Sequence, residues 1–145
     1  MKKTSIRPVA LVLLSILWVT GILFCAACGQ RDTSSLSTFS AADGDILGSG
    51  AKSFTLSIVD ADGAEITVTV RTDEEFLGTA LQACGLIDGE EGPYGLYIKT
   101  VNGILADYDT DGTYWAFYEH GELALTGVDT TVVLDGGEYA LRVEK

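Results

Sequence analysis

The chain has 145 residues and a formal net charge of −12, from 21 acidic residues and 9 Lys and Arg residues. Such an acidic surface is repelled by the phosphates of DNA and RNA and by anionic lipid. We therefore exclude nucleic-acid binding.

The first 27 residues have the pattern of a secretory signal peptide. A positively charged segment precedes an apolar run at 9–24, which is short for a membrane span of roughly 20 residues. Ala26 and Ala27 then precede Cys28, an arrangement that resembles a bacterial lipoprotein signal. Cys28 is therefore the predicted lipid anchor, on the extracytoplasmic face of a bacterial membrane. Cys25 is the alternative, although bulky Phe24 fits a cleavage site poorly.

The rest of the chain is predicted to be a tether and one domain. Cleavage before Cys28 removes Lys2, Lys3 and Arg7 but no acid, so the net charge changes from −12 to −15. Residues 28–52 are rich in small and polar residues, which is typical of a flexible tether. Residues 53–145 are long enough for a single core without cross-links. Cys84, the one cysteine there, is expected to be a small buried apolar residue.

The predicted domain begins with a β-hairpin. Apolar residues alternate with Thr and Ser in two runs that flank a turn at 60–63. These residues are Phe54, Leu56 and Ile58 in the first run and Ile66, Val68 and Val70 in the second. The alternation predicts one buried and one polar face.

A helix is predicted after the hairpin. Thr72 and Glu75 have the spacing of a capping box, and Gly85 ends the apolar pattern. The buried stripe is predicted to consist of Leu77, Ala80, Leu81 and Cys84, which recur at helical spacing.

Further strands are predicted after an acidic, Gly-rich connection at 86–93. They lie at 95–101, 113–119, 122–125 and 138–143, and turns are marked by Asn102-Gly103, His120-Gly121 and 135–137. This order predicts an α+β fold, a β-grasp-like single domain with a mixed sheet of five or six strands packed on one helix. Because one helix covers only part of such a sheet, the other sheet face is expected to be open.

The predicted strand at 113–119 carries four aromatic residues. Tyr114 and Tyr118 point to one face, and Trp115 and Phe117 point to the other. In one interpretation Trp115 and Phe117 fill the core, while the tyrosines lie at the surface with their hydroxyls in water. In the other, an aromatic face contacts a ligand or a partner protein.

Little in the sequence indicates catalysis or a resident metal. The one histidine, His120, is interpreted as a turn residue, and no catalytic triad spacing, phosphate-binding loop or His/Cys cluster is present. The segment 107–112 matches half of a calcium loop, but Tyr118 stands where a bidentate acid is needed. It is interpreted as a polar loop held by Asp-to-backbone bonds, with weak calcium binding as the alternative. We expect no enzyme activity and no resident cofactor.

Three motifs resemble the transcobalamin-like C-terminal domain family. They are Tyr-Trp-Ala-Phe at 114–117, His-Gly-Glu at 120–122 and Thr-Gly-Val-Asp at 126–129. In the cobalamin carriers of this family, the small β domain closes over a corrinoid held by a larger helical domain. The resemblance implies that Tyr114, Trp115 and the turn Leu125, Thr126 and Gly127 face the ligand. Tyr118, on the open sheet face, completes the predicted ligand site. We expect no helical partner domain in this chain, so the site would be a half-site unless a second protein completes it.

Two functions of different classes follow. The first is a surface lipoprotein that binds a soluble ligand, with cobalamin or a related corrinoid as the leading choice, and delivers it to a transporter or partner. The second is an interaction or display module whose aromatic face docks onto another envelope protein.

Overall fold

The computed structural model describes residues 40–145, and the fold is given for these residues alone. The signal peptide, Cys28 and the first part of the predicted tether lie outside them. No helix in 40–145 is long and apolar enough to cross a membrane.

The strands are β1 (Ile46–Gly48), β2 (Lys52–Val59), β3 (Glu65–Thr72), β4 (Ile87–Gly92), β5 (Gly95–Val101), β6 (Ile104–Leu105), β7 (Tyr114–Glu119), β8 (Glu122–Leu123) and β9 (Glu138–Glu144). The helices are α1 (Leu77–Ala83) and α2 (Tyr108–Asp111).

The main sheet has six strands in the order β1-β3-β2-β9-β7-β8. The β1–β3 and β2–β9 pairs are parallel and the other pairs are antiparallel, so the sheet is mixed. A smaller antiparallel sheet has the order β4-β5-β6. The predicted α+β class and the mixed six-stranded sheet are confirmed.

The β2–β3 hairpin has the predicted buried face. Phe54 lies opposite Val70, Leu56 opposite Val68 and Ile58 opposite Ile66. The alternate positions pair hydroxyl side chains, including Thr55 with Thr69. Because directly opposite residues share a face, the hydroxyls define the side of the sheet away from the core.

The core fills the space between one face of the main sheet and a second layer. That layer consists of α1, the small sheet and the segment between β8 and β9. It contributes Leu77, Ala80, Leu81, Ile87, Ile98, Val101, Val128 and Val133. Tyr139 and Leu141 of β9 are also buried in the core, and Val143 packs against it. The helix therefore shares the sheet with the small sheet and does not cover it alone.

The predicted capping box is wrong. Thr72 is the last residue of β3, and its hydroxyl accepts a hydrogen bond from the Glu74 N–H. The N-cap of α1 is Phe76, without a side-chain cap. Carbonyls of the segment before β9 satisfy the first N–H groups instead: Leu77 donates to Thr131 (2.9 Å) and Gly78 to Val128 (2.8 Å). Tertiary contacts thus replace the local cap.

The predicted connection at 86–93 is also corrected, because most of it is strand β4. Its Gly and acidic residues are poor strand formers, but pairing with β5 decides its conformation. A register shift lies between Asp88 and Gly89. A Cβ atom at Gly89 would overlap the carbonyl oxygen of Tyr97, so glycine permits the close approach.

The folded domain starts earlier than residue 53. Within the predicted tether, β1 pairs with β3 and Ala41 is buried. Ala41 donates its N–H to Oδ1 of Asn102 (2.6 Å) and accepts from Asn102 Nδ2 (3.0 Å) at its carbonyl. These side-chain hydrogen bonds and a three-residue strand hold the segment in place, so it belongs to the fold without a long apolar pattern.

Candidate functional site

The four aromatic residues of β7 divide between the two faces of the sheet. Trp115 pairs with Val143 and Phe117 with Leu141, and both aromatics lie in the core, 7% and 9% exposed. The Phe117 ring stacks on Tyr139, with ring centroids 6.1 Å apart. The structure thus agrees with the interpretation in which Trp115 and Phe117 fill the core.

The other face of β7 carries a surface that we call the tyrosine surface, defined by Tyr114, Ala116, Tyr118 and Leu123. Tyr114 is 38% exposed, and Leu123, which pairs with Tyr118 across the hairpin, is 60% exposed. Ala116 between the tyrosines is buried. The second layer lies on the opposite side of the sheet, so this surface faces away from the core.

Charged neighbours on β9 hold Tyr118. The Arg142 guanidinium carbon lies 4.9 Å from the centroid of the Tyr118 ring. The Tyr118 hydroxyl donates to Oε1 of Glu144 at 3.1 Å. This hydrogen bond is the main cause that raises the pKa of Tyr118, followed by desolvation and the nearby negative charge. The ring is thus oriented before any ligand arrives.

A two-residue turn joins β7 to β8. His120 and Gly121 have φ of 50° and 82°, as a type I′ hairpin turn requires. The predicted turn role of His120 is confirmed. Beside the hairpin lies an open depression of about 550 Å³, lined by Glu119, His120, Glu122, Leu123, Ala124, Leu125 and Thr126. Leu125 is 100% exposed.

The six residues of the predicted ligand site do not form one surface. Tyr114 and Tyr118 lie on the tyrosine surface, and Leu125 and Thr126 line the hairpin depression. Trp115 lies in the core. Gly127 is exposed, but its carbonyl accepts hydrogen bonds from the Thr130 and Thr131 hydroxyls within its own loop.

Leu123 belongs to both the tyrosine surface and the hairpin depression, and it was not among the predicted site residues. A signal for it was present in the sequence. A two-residue turn at His120-Gly121 fixes the register of the hairpin, so Leu123 must lie opposite Tyr118. The register therefore connects the tyrosine surface to the depression.

Asp129 positions the loop that follows Leu125. Its Oδ2 accepts from the Leu96 N–H at 3.2 Å, while its buried Oδ1 has no hydrogen-bond partner. A Cβ atom on Gly95 would overlap the Asp129 carboxylate, and one on Gly127 would lie 2.9 Å from Oδ1. Gly127 and Asp129 of the 126–129 motif thus allow the loop to pack closely against β5.

The acidic loop at 107–112 has the predicted internal bonds. Asp107 accepts from the Asp109 N–H (3.2 Å) and pairs with Lys99 (3.3 Å). Asp111 accepts from the Thr113 hydroxyl and N–H, and these bonds lower the pKa of Asp111. Among residues 40–145, no group of three His, Cys, Asp or Glu is arranged to hold a metal ion.

Comparison with known proteins gives solved structures only. No protein-family profile and no curated protein matches the chain. A candidate metal-binding protein from Ruminococcus gnavus ATCC 29149, known from a crystal structure at 1.30 Å, is 35% identical. The match covers 66% of this chain and 98% of that one, with a TM-score of 0.62. Haptocorrin in complex with Cbi is 27% identical over 65% of this chain and 25% of its own, with a TM-score of 0.48.

Proposed function

Because this chain belongs to the same family as the Ruminococcus gnavus protein, we propose that it is a ligand-binding domain and not an enzyme. The proposed site combines the tyrosine surface with the hairpin depression. In this proposal Cys28 is lipidated and holds the domain on the extracytoplasmic face of the membrane, where the protein delivers its ligand to a transporter or partner.

Exposed apolar area at the hairpin is the observation that carries the proposal. Leu125 is 100% exposed and Leu123 60% exposed, and Leu123 lies opposite Tyr118, whose orientation is already set. Ligand sites combine apolar walls with a few positioned polar groups. A preset aromatic ring also loses little conformational freedom on binding.

The proposed ligand is a corrinoid, either cobalamin or a related compound. This choice rests on the motifs at 114–117 and 126–129, which resemble those of the transcobalamin-like family. A corrin is a broad, partly apolar disc edged with amides, which suits tyrosine rings, leucine side chains and backbone polar groups. Because the site is open on one side, we expect micromolar affinity, about −8 kcal/mol.

A free metal ion is not the proposed ligand. The Ruminococcus gnavus relative is described as a candidate metal binder, but the described residues 40–145 of this chain offer no cluster of metal-binding side chains. The cobalt of a corrinoid arrives already held by the corrin ring. The proposed site therefore needs to bind only the disc and its amides.

Equilibrium dialysis of the full chain in detergent against cobalamin, cobinamide and haem tests the proposal. Corrin absorbance gives the bound fraction without relying on Trp115, whose ring lies in the core. We expect Tyr118→Ala to weaken corrinoid binding by about 1–3 kcal/mol, by analogy with aromatic stacking platforms. Leu125→Ala should weaken it as well, through the loss of apolar contact.

The matched control is Tyr94→Ala. Tyr94 is 99% exposed at the tip of the β4–β5 hairpin, outside the proposed site, so this change should leave corrinoid affinity unaltered. Binding no tighter than millimolar for both corrinoids would contradict the corrinoid proposal. Tight binding that survives Tyr118→Ala and Leu125→Ala would place the site elsewhere.

A further inference from the structure

Strand β8 forms one edge of the main sheet. It is the last strand in the order β1-β3-β2-β9-β7-β8, and it pairs only with β7 among the described residues. An uncovered edge strand can add a strand from another chain. Leu125, just beyond β8, is 100% exposed, so residues 40–145 leave this edge open.

The pairing of β8 directs two peptide units outward. In a two-residue hairpin the flanking pair, Glu119 and Glu122, exchanges the narrow hydrogen bonds. The N–H and C=O of Leu123 then point away from β7, whereas the Ala124 N–H donates inward to the Phe117 carbonyl at 2.9 Å. Leu125 lies just beyond the strand, and its N–H has no hydrogen-bond partner among residues 40–145. Leu123 and Leu125 thus have the two-residue spacing of a strand ladder.

The charge at this edge is negative. Glu119 and Glu122 lie directly opposite each other, and like charges in that position destabilise a hairpin. Both side chains line the hairpin depression. The two ion pairs found in residues 40–145 both involve Lys99, so neither glutamate is neutralised there. Cationic side chains of a partner would relieve this repulsion.

We propose that the outer edge of β8 docks an extended segment of a partner protein in which basic side chains alternate with apolar ones. Backbone bonds form at Leu123 and Leu125. The apolar side chains of the segment cover these two leucines, and the basic ones approach Glu119 and Glu122. A second copy of the chain is disfavoured, because it carries the same glutamates and a net charge of −12. This inference goes beyond ligand binding and does not depend on it.

Backbone amide hydrogen exchange of the full chain in neutral detergent tests the proposal. The probes are a Lys-Val-Lys-Leu-Lys-Val peptide, its Glu-for-Lys counterpart and a backbone N-methylated form of the basic peptide. We expect the basic peptide to slow exchange at Leu123 and Leu125 by about tenfold or more, because edge pairing protects outward amides. The acidic and N-methylated peptides should have no effect.

The opposite sheet edge is the internal control. Strand β1 is also an edge and carries exposed Ile46, but the depression beside it is lined by small and polar residues, among them Ser49, Arg71 and Asp73. Protection of 46–48 in place of 123 and 125 would overturn the proposal, as would equal protection by the acidic peptide. Protection by the N-methylated peptide would equally overturn it, since its N-methyl groups cannot donate to the Leu123 carbonyl and keep the two backbones too far apart to pair.

Two groups of variants locate the interaction. Leu123→Pro removes the outward N–H and should abolish the protection at Leu125, whereas Leu123→Ala keeps the N–H and should retain part of it. Glu119→Gln with Glu122→Gln should remove the preference for the basic peptide and its salt dependence. An unchanged preference would refute the charge argument. If Leu123→Pro does not fold, the N-methylated peptide decides the same point on the unaltered chain.

Discussion

Tyr118 shows how a surface aromatic side chain acquires a fixed orientation. Its ring lies under the Arg142 guanidinium, and its hydroxyl donates to Glu144, so two residues of β9 define its position. Tyr114, on the same face of β7, is more exposed. Among residues 40–145 it has neither a hydrogen-bond partner for its hydroxyl nor a cation over its ring. We therefore expect Tyr118 to be the better-ordered ring.

The titration of Tyr118 should depend on Glu144. Glu144→Gln removes the accepting carboxylate and its negative charge, so the raised pKa of Tyr118 should fall toward the ordinary tyrosine value of about 10. Ring-carbon NMR across alkaline pH measures it. Glu138→Gln, on the same strand, is the control. An unchanged Tyr118 titration in Glu144→Gln would mean that the hydrogen bond does not form.

The sign of the stability effect follows from the raised pKa. A group whose pKa is higher in the folded state contributes stability that is fully present below its unfolded pKa. That contribution is lost as the pH rises through the folded pKa. The Tyr118 contribution is therefore constant at neutral pH and disappears only in the alkaline range.

Alternation along β7 predicted which aromatics share a face, but not which face is covered. The second layer that buries Trp115 and Phe117 comes from elements distant in sequence, including Leu86 and Val128. A pattern within β7 carries no information about those elements. For that reason the sequence left both interpretations of the aromatic strand open, and only the family resemblance placed Trp115 in one site with Tyr118.

The regular elements were predictable where their own residues determine them. The β2–β3 hairpin and the end of α1 at Gly85, with φ of 68°, follow from alternation and from glycine at a left-handed position. Strand β4 and the start of α1 depend on partners: β5 for the strand, and the carbonyls of Val128 and Thr131 for the helix. Such partners leave no local pattern.

The buried stripe of α1 should stabilise the fold. It consists of Leu77, Ala80 and Leu81, because Cys84, which was predicted with them, is the C-cap and only partly buried. Leu81 is 0% exposed, so Leu81→Ala should lower the free energy of unfolding by about 2–5 kcal/mol through lost burial and the cavity left behind. The neighbouring Gln82 is exposed, and Gln82→Ala should change stability by no more than about 0.5 kcal/mol. Urea unfolding compares the two variants. Equal losses would contradict the packing of α1 against the sheet.

The extent of the domain is set by long-range contacts. Ala41 reaches Asn102 at the β5–β6 turn, β1 pairs with β3, and Ala51 donates to Asp73 at 2.8 Å. These contacts join 40–52 to both sheets. The segment therefore belongs to the fold, and the tether that leads to the proposed anchor is shorter than composition indicates.

A comparison of fragments 40–145 and 53–145 should show this boundary. The shorter fragment loses β1 and leaves the buried Asn102 amide without Ala41, and an unsatisfied buried polar group alone costs about 1–3 kcal/mol. It also leaves β3 as a longer exposed edge, which favours association. We expect fragment 53–145 to unfold at a lower urea concentration and to self-associate, whereas 40–145 matches the full chain.

In fragment 40–145, Asn102→Gly tolerates the φ of 50° but removes both side-chain bonds to Ala41, so it should reproduce part of the loss of stability. Equal stability of the two fragments would return residues 40–52 to the tether.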